Sequence, residues 1–102
     1  MTTSPDILRR ESRLPASPAA AAVLLEPALA EAAGADAAPV SLTLDYGAQV
    51  PGGAAVVVEA WIDRATRTLV FAHGRLLAAD GATLLASGSA VFRRGSPPAP
   101  KP

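Results

Sequence analysis

A change of period divides this chain. From Pro18 to Ala33 it reads PAAAAVLLEPALAEAA, an apolar run broken only by Glu26 and Glu31 and closed by Gly34; from Pro39 onward, apolar residues recur at alternate positions. The first block predicts a helix, with Ser17 as N-cap, Pro18 at the first helical position where its missing N–H costs nothing, and Gly34 just past the end. Because it is apolar nearly all round, it is predicted to be buried rather than half-exposed. Pro27 interrupts it by removing the bond to the carbonyl of Val23. Either the helix bends there, or a second helix starts at Pro27 with Glu26 near its cap.

The second block predicts strands. Val40, Leu42, Leu44 and Tyr46 alternate with Ser41, Thr43 and Asp45, the pattern of a half-buried strand. After the loop GAQVPGG (47–53), Ala54 to Arg64 alternates again, Arg64 to Arg67 turns, and Thr68 to Ala79 forms a third strand. Asp80-Gly81 is the strongest hairpin signal in the chain, and Thr83 to Arg93 follows as the fourth strand. One buried helix followed by an antiparallel meander is an α+β arrangement. Residues 18–94 are therefore expected to form a single domain. Residues 1–17, with Pro5, Pro15 and the cluster Arg9-Arg10-Glu11-Ser12-Arg13, read as an irregular N-terminal arm that Ile7, Leu8 and Leu14 dock. The stretch GSPPAPKP (95–102) has nothing to bury and is expected to be disordered.

Composition removes several chemistries. Of 102 residues none is cysteine, which excludes disulfides, thiolate metal sites and cysteine nucleophiles together. A single histidine, His73, speaks against an all-protein zinc site; no metal and no resident cofactor are expected. Nine basic and nine acidic side chains give zero net charge, so there is no electrostatic footprint for nucleic acid or an anionic membrane. Glu26 and Glu31 interrupt the apolar block well short of a membrane span of ~20 residues. A competing reading makes Arg9-Arg10, AAAAVLL and Ala28-Leu29-Ala30 the parts of a secretory signal, but the hydrophobic stretch is short and alanine-weak, and acids lie where such signals disfavour them. The expected location is cytoplasmic. The 24 alanines make a thin core, so the larger apolar side chains are expected to serve an intersubunit surface as well.

The order helix then strands, the phrase SLTLDYGAQVPGG (41–53), and the phrase VVVEAWIDRATRTLVFAHGRLLAADGATLLASGSAVFRR (56–94) resemble the hotdog-fold thioesterases of the phenylacetic-acid-pathway and 4-hydroxybenzoyl-CoA type. The resemblance runs from about Pro18 to Arg94 and lies in order and spacing rather than in one diagnostic word. It implies a hotdog-like fold, a central helix wrapped by an antiparallel sheet, with subunits joined edge to edge as a homodimer or dimer of dimers. It implies an acyl-CoA or similar thioester as partner. The family's active-site carboxylate lies on the helix about eight residues after a His-Gly-Gly lead-in; counted the same way, it falls on Glu26. The lead-in here is Ser17-Pro18-Ala19, which departs from the pattern, and Pro18 has no N–H to offer a thioester carbonyl.

Several residues carry two readings. Glu26 is either the general base or nucleophile, or a carboxylate at a helix kink reaching solvent. Glu31, five residues on, lies ~140° around the helix and cannot pair with it on one face; an exposed last-turn position is expected. His73 reads as a cross-strand hydrogen-bonded or interfacial histidine. Arg64, Arg67, Arg75, Arg93 and Arg94 either meet the phosphates of coenzyme A or are solvated side chains that discourage strand addition. Trp61 suggests an interface. Function is thus expected to be acyl-thioester hydrolysis by a carboxylate-activated water, with a non-catalytic hotdog module binding an acyl or CoA ligand, or a protein partner, as the alternative.

Overall fold

The computed structural model describes residues 6–95, so all but Gly95 of the tail assigned to 95–102 lies outside the described residues. One helix packs on one five-stranded, wholly antiparallel sheet. The elements run β1 (Leu8–Arg13), α1 (Ala20–Ala33), β2 (Ala37–Tyr46), β3 (Ala55–Ala65), β4 (Leu69–Ala78) and β5 (Leu84–Arg94). The sheet order is β1-β3-β4-β5-β2, so the meander β3-β4-β5 is flanked by strands from either side of the helix. This is the hotdog-like α+β fold that the sequence predicts.

The helix is seated by its leucines. Leu25 and Leu29 are fully buried, and with Ala21, Ala28 and Ala33 they face Val56, Val58, Ala60, Val70, Ala72 and Leu76 of the inner strands. The opposite side of α1 remains open: Val23 is 50% exposed, and Glu26, Pro27, Ala30 and Glu31 are all exposed. The expectation of burial all round fails because a single chain offers only one layer for the helix to lie on. Pro27 is accommodated within one continuous helix. The carbonyl it leaves without a donor belongs to Val23, a half-exposed residue, so water can take the missing bond.

The helix starts two residues later than predicted. Ser17 accepts through its hydroxyl from the N–H of Ala19 and through its carbonyl from that of Ala20, each at 3.1 Å, forming a turn before the helix proper rather than its N-cap. At the other end Gly34 donates to the carbonyl of Ala30, as predicted for the residue after the helix.

The N-terminal arm is corrected from Leu8 to Arg13, which is a strand. Its residues pair antiparallel with β3, from Leu8 opposite Ala60 to Arg13 opposite Ala55. One buried acid fastens it there. Glu59 of β3, 3% exposed, accepts from Arg9 of β1 at 2.5 Å and from Arg75 of β4 at 2.6 Å, tying three strands together on the face away from the helix. Two charge-assisted bonds offset the cost of burying that carboxylate.

The hairpin at Asp80-Gly81 forms, with a wider loop than a two-residue turn. Asp80 organises it: Oδ1 accepts from the N–H of Ala82 (2.8 Å) and of Thr83 (2.9 Å), and Oδ2 from the hydroxyl of Thr83 (2.7 Å). These bonds, the Thr83 amide foremost, hold the Asp80 carboxyl below its ordinary value of 3.8. A lowered folded value means the loop gains from the charge above the ordinary carboxylate range and loses that gain as pH falls through the lowered value. An NMR titration is expected to show the amides of Ala82 and Thr83 shifting with a midpoint below 3.8; a midpoint at or above it would disprove the capping.

Candidate functional site

The helix lies chiefly over β3 and β4 and reaches β2 and β5 less. β2 therefore carries an apolar face that the helix barely covers: Leu44 is half-buried, but Val40 is 54% exposed and Tyr46 67% exposed. The half-buried strand predicted there is exposed along most of its length, because it is an edge strand lying beyond the helix. Between α1 and β2 runs a groove of about 270 Å³, lined by Glu26, Leu29 and Ala30 from the helix, Val40 and Leu42 from β2, and Phe92 from β5.

Glu26 is the one acid in that groove. Its neighbours Leu25 and Leu29 point down into the core, so the 3.6-residue period turns Glu26 to the flank facing β2. Glu31 is turned the other way and pairs with Arg10 of β1 at 2.9 Å. The two helix acids thus stand on opposite flanks, as their spacing predicts. Ser41 also borders the groove, but past the register shift between Pro39 and Ser41 it pairs with Val91, which lies opposite Phe71 on the face away from the helix.

A second groove, of about 250 Å³, lies at the start of the helix between Ser17, Pro18 and Ala21 on one side and Tyr46, Gln49 and Val50 on the other. The first regular helical bond of α1 runs from the N–H of Val23 to Ala19, which leaves the amides of Ala21 and Ala22 without a helical acceptor. Both grooves thus border β2, one near each end. Gln49 was not singled out in the sequence; its only signal was a polar side chain in the loop that follows the aromatic Tyr46.

His73 stands elsewhere, on the sheet face away from the helix. Its Nδ1 lies 3.1 Å from Ser89 Oγ on the neighbouring strand and 3.9 Å from Asp63 Oδ2. Serine and acid approach the same ring nitrogen, so no relay from acid through imidazole to hydroxyl is formed. Trp61 is half-buried beside it, donating to Asp63 at 3.0 Å, with the Arg75 guanidinium 5.6 Å from its ring centre. Among the described residues, no three His, Cys, Asp or Glu side chains gather where a metal could be held.

The model of the thioesterase superfamily matches residues 19–85, more than half of the chain. The chain belongs to the thioesterase superfamily. This thioesterase-superfamily fold is similar to that of zebrafish thioesterase superfamily member 2, with a TM-score of 0.78 and 19% identity over 93% of this chain and 79% of that one. It is also similar to a point mutant of the phenylacetic acid degradation protein PaaI from Thermus thermophilus, with a TM-score of 0.75 and 18% identity over 92% and 90% of the two chains. At these identities the likeness is one of fold. No curated protein sequence matches the chain. The family supports acyl-thioester chemistry at a general level. Among the described residues, no helix is long and apolar enough to cross a membrane.

Proposed function

We propose that this thioesterase-superfamily member hydrolyses an acyl thioester of coenzyme A in a cytoplasmic setting, with Glu26 as general base. The observation that carries this reading is a lone carboxylate on the flank of an otherwise largely apolar groove, on the helix of a thioesterase fold. An acyl chain in the groove lies against Leu29, Leu42 and Phe92. Glu26 takes a proton from water as the water oxygen bonds to the thioester carbonyl carbon; when the C–S bond breaks, its electron pair leaves with sulfur, and Glu26 returns that proton so that the thiol departs and the carboxylate is restored. Donors for the carbonyl oxygen are the amides at the start of α1, Ala21 and Ala22, because Pro18 has none to give.

The working unit in this reading is a homodimer joined through β2. That strand is an edge with exposed Val40, Leu42 and Tyr46, beside the exposed Val23 of α1, a combination suited to a partner rather than to water. Antiparallel pairing of two β2 strands sets the Ala37 end of one beside the Tyr46 end of the other. Each Glu26 groove then meets the helix-start groove of the second copy, which brings carboxylate and amide donors to one thioester. A dimer of such dimers is compatible with the same edge.

The test is hydrolysis by the purified protein across acyl-CoA chain lengths, followed as thiol release, with its oligomeric state measured by light scattering. Turnover with a dimeric or tetrameric species is the expected result. Absence of turnover with every chain length overturns the enzyme reading; acyl-CoA binding without turnover would instead identify a non-catalytic binding module.

A further inference from the structure

Pro27 is the residue that the interior of α1 should least contain. It stands eighth of fourteen residues, well past the first turn, where a proline fits without loss. Half of the helix is alanine, the best helix former, so nothing local calls for proline there. Nor does it end or divide the helix, which continues through it to Ala33. A break with local preference that the fold does not need points to function.

What Pro27 does to the backbone is specific. It cannot donate to the carbonyl of Val23, and among the described residues no donor from outside the helix reaches that oxygen. The oxygen belongs to the open side of α1, where Val23 is half-exposed and Glu26, Pro27 and Ala30 are exposed. Glu26, the groove acid, follows Val23 by three residues, the spacing of neighbours on a helix surface. Helix carbonyls point toward the C-terminus, so that of Val23 reaches up to the level of Glu26. Helix side chains lean toward the N-terminus, so the Glu26 carboxylate swings back over the turn that holds Val23. A free carbonyl and a carboxylate with no hydrogen-bond partner among the described residues thus approach one another.

Two acceptors side by side suit a molecule with two donor hydrogens, and water is that molecule. We infer that the Val23 carbonyl, freed by Pro27, and the Glu26 carboxylate hold one water between them, and that this water attacks the thioester. The inference rests on the hydrolytic reading of the groove for the water's use, whereas the water site itself needs only the backbone gap and the acid. One hydrogen points at Glu26 and is the proton that Glu26 takes and later returns to sulfur. The other points at the Val23 carbonyl and stays on the oxygen, which becomes part of the product acid. With both hydrogens engaged on the helix, a lone pair of the oxygen is left facing away from it, toward the substrate carbon. Pro27 is a positioning residue, acting by the N–H it withholds.

Pro27→Ala returns that N–H and tests the inference. The variant is expected to raise Tm, because the helix gains a bond and loses the clash of the ring with the Val23 carbonyl. It is also expected to lower kcat for acyl-CoA hydrolysis about tenfold with KM unchanged. Lactic acid placed at position 27 by ligation has the alanine side chain but an ester oxygen in place of the N–H, and is expected to keep the parent's kcat. Unchanged kcat in Pro27→Ala, or an equal fall in the ester, would overturn the inference and leave Glu26→Gln to judge the hydrolytic reading. A crystal structure with ordered solvent reads the site without activity. One water within hydrogen-bond distance of both Val23 O and a Glu26 Oε atom is expected in the parent and is expected to be lost in Pro27→Ala. No such shared water in the parent would overturn the inference whatever the kinetics. A shared water in a parent that hydrolyses no acyl-CoA would remove the hydrolytic reading and leave the water site standing.

Discussion

Replacing Glu26 by glutamine is expected to lower kcat for acyl-CoA hydrolysis by about 10²- to 10⁴-fold, the usual contribution of a positioned base, while substrate affinity changes little. Glutamine keeps the length and shape of the side chain but cannot accept a proton from water. The position is exposed and Glu26 has no hydrogen-bond partner among the described residues, so Tm should stay at the parent value. Glu26→Asp keeps the carboxylate but draws it back toward the helix by one methylene, and is expected to retain part of the activity. Single-turnover rates with a bound acyl-CoA separate the chemical step from binding. Unchanged kcat in Glu26→Gln would show that the groove acid is a solvated helix carboxylate, and the base would have to be sought elsewhere.

Much of the fold was legible because its signals are local. The 3.6-residue pattern of Leu25, Ala28 and Leu29 marks a helix face, and the period-two runs mark β2 to β5. β1 was not legible because LRRESR has no alternation to read: at a sheet edge most of its side chains meet water, and what fixes it is pairing with β3 and the buried Glu59, both about fifty residues away. Charged residues also suit an edge that must not recruit another strand. The start of α1 was misplaced because Ser17 caps a turn as readily as a helix.

The site was legible in its parts. Glu26 was singled out by resemblance, and its separation from Glu31 followed from helix geometry. That Glu26 faces β2 rather than β1 depends on the sheet order, in which β2 lies next to β5 across a long connection, and no local pattern encodes that. The same holds for the arginines. Their sequence positions gave no indication that Arg9, Arg10, Arg13 and Arg75 would be engaged and the other four would not.

Two glycines decide how closely the helix approaches the sheet, and they should not tolerate a side chain equally. Gly74 of β4 and Gly88 of β5 are cross-strand partners lying beneath Leu25 and Leu29. Adding a methyl to a strand glycine would by itself stabilise a protein by about 0.5–1 kcal/mol, since glycine loses more freedom on folding. At Gly74 the added carbon would lie 2.9 Å from the backbone oxygen of Glu59 and 3.2 and 3.3 Å from Leu29 and Leu25, so backbone has to move. At Gly88 its closest neighbour is the far end of the Leu44 side chain at 3.1 Å, which can rotate toward the open side of β2. Gly74→Ala is therefore expected to cost about 1–3 kcal/mol, in the range for overpacked cores, and Gly88→Ala to stay within about 1 kcal/mol of the parent. In a domain of this size the first corresponds to a Tm drop of roughly 5–20 °C. Thermal unfolding at one fixed protein concentration reads the difference, because association would add its own concentration dependence. Equal effects at the two positions would mean that the helix, rather than the β3 backbone, gives way, and that its seat on the sheet is softer than the packing around Leu25 and Leu29 implies.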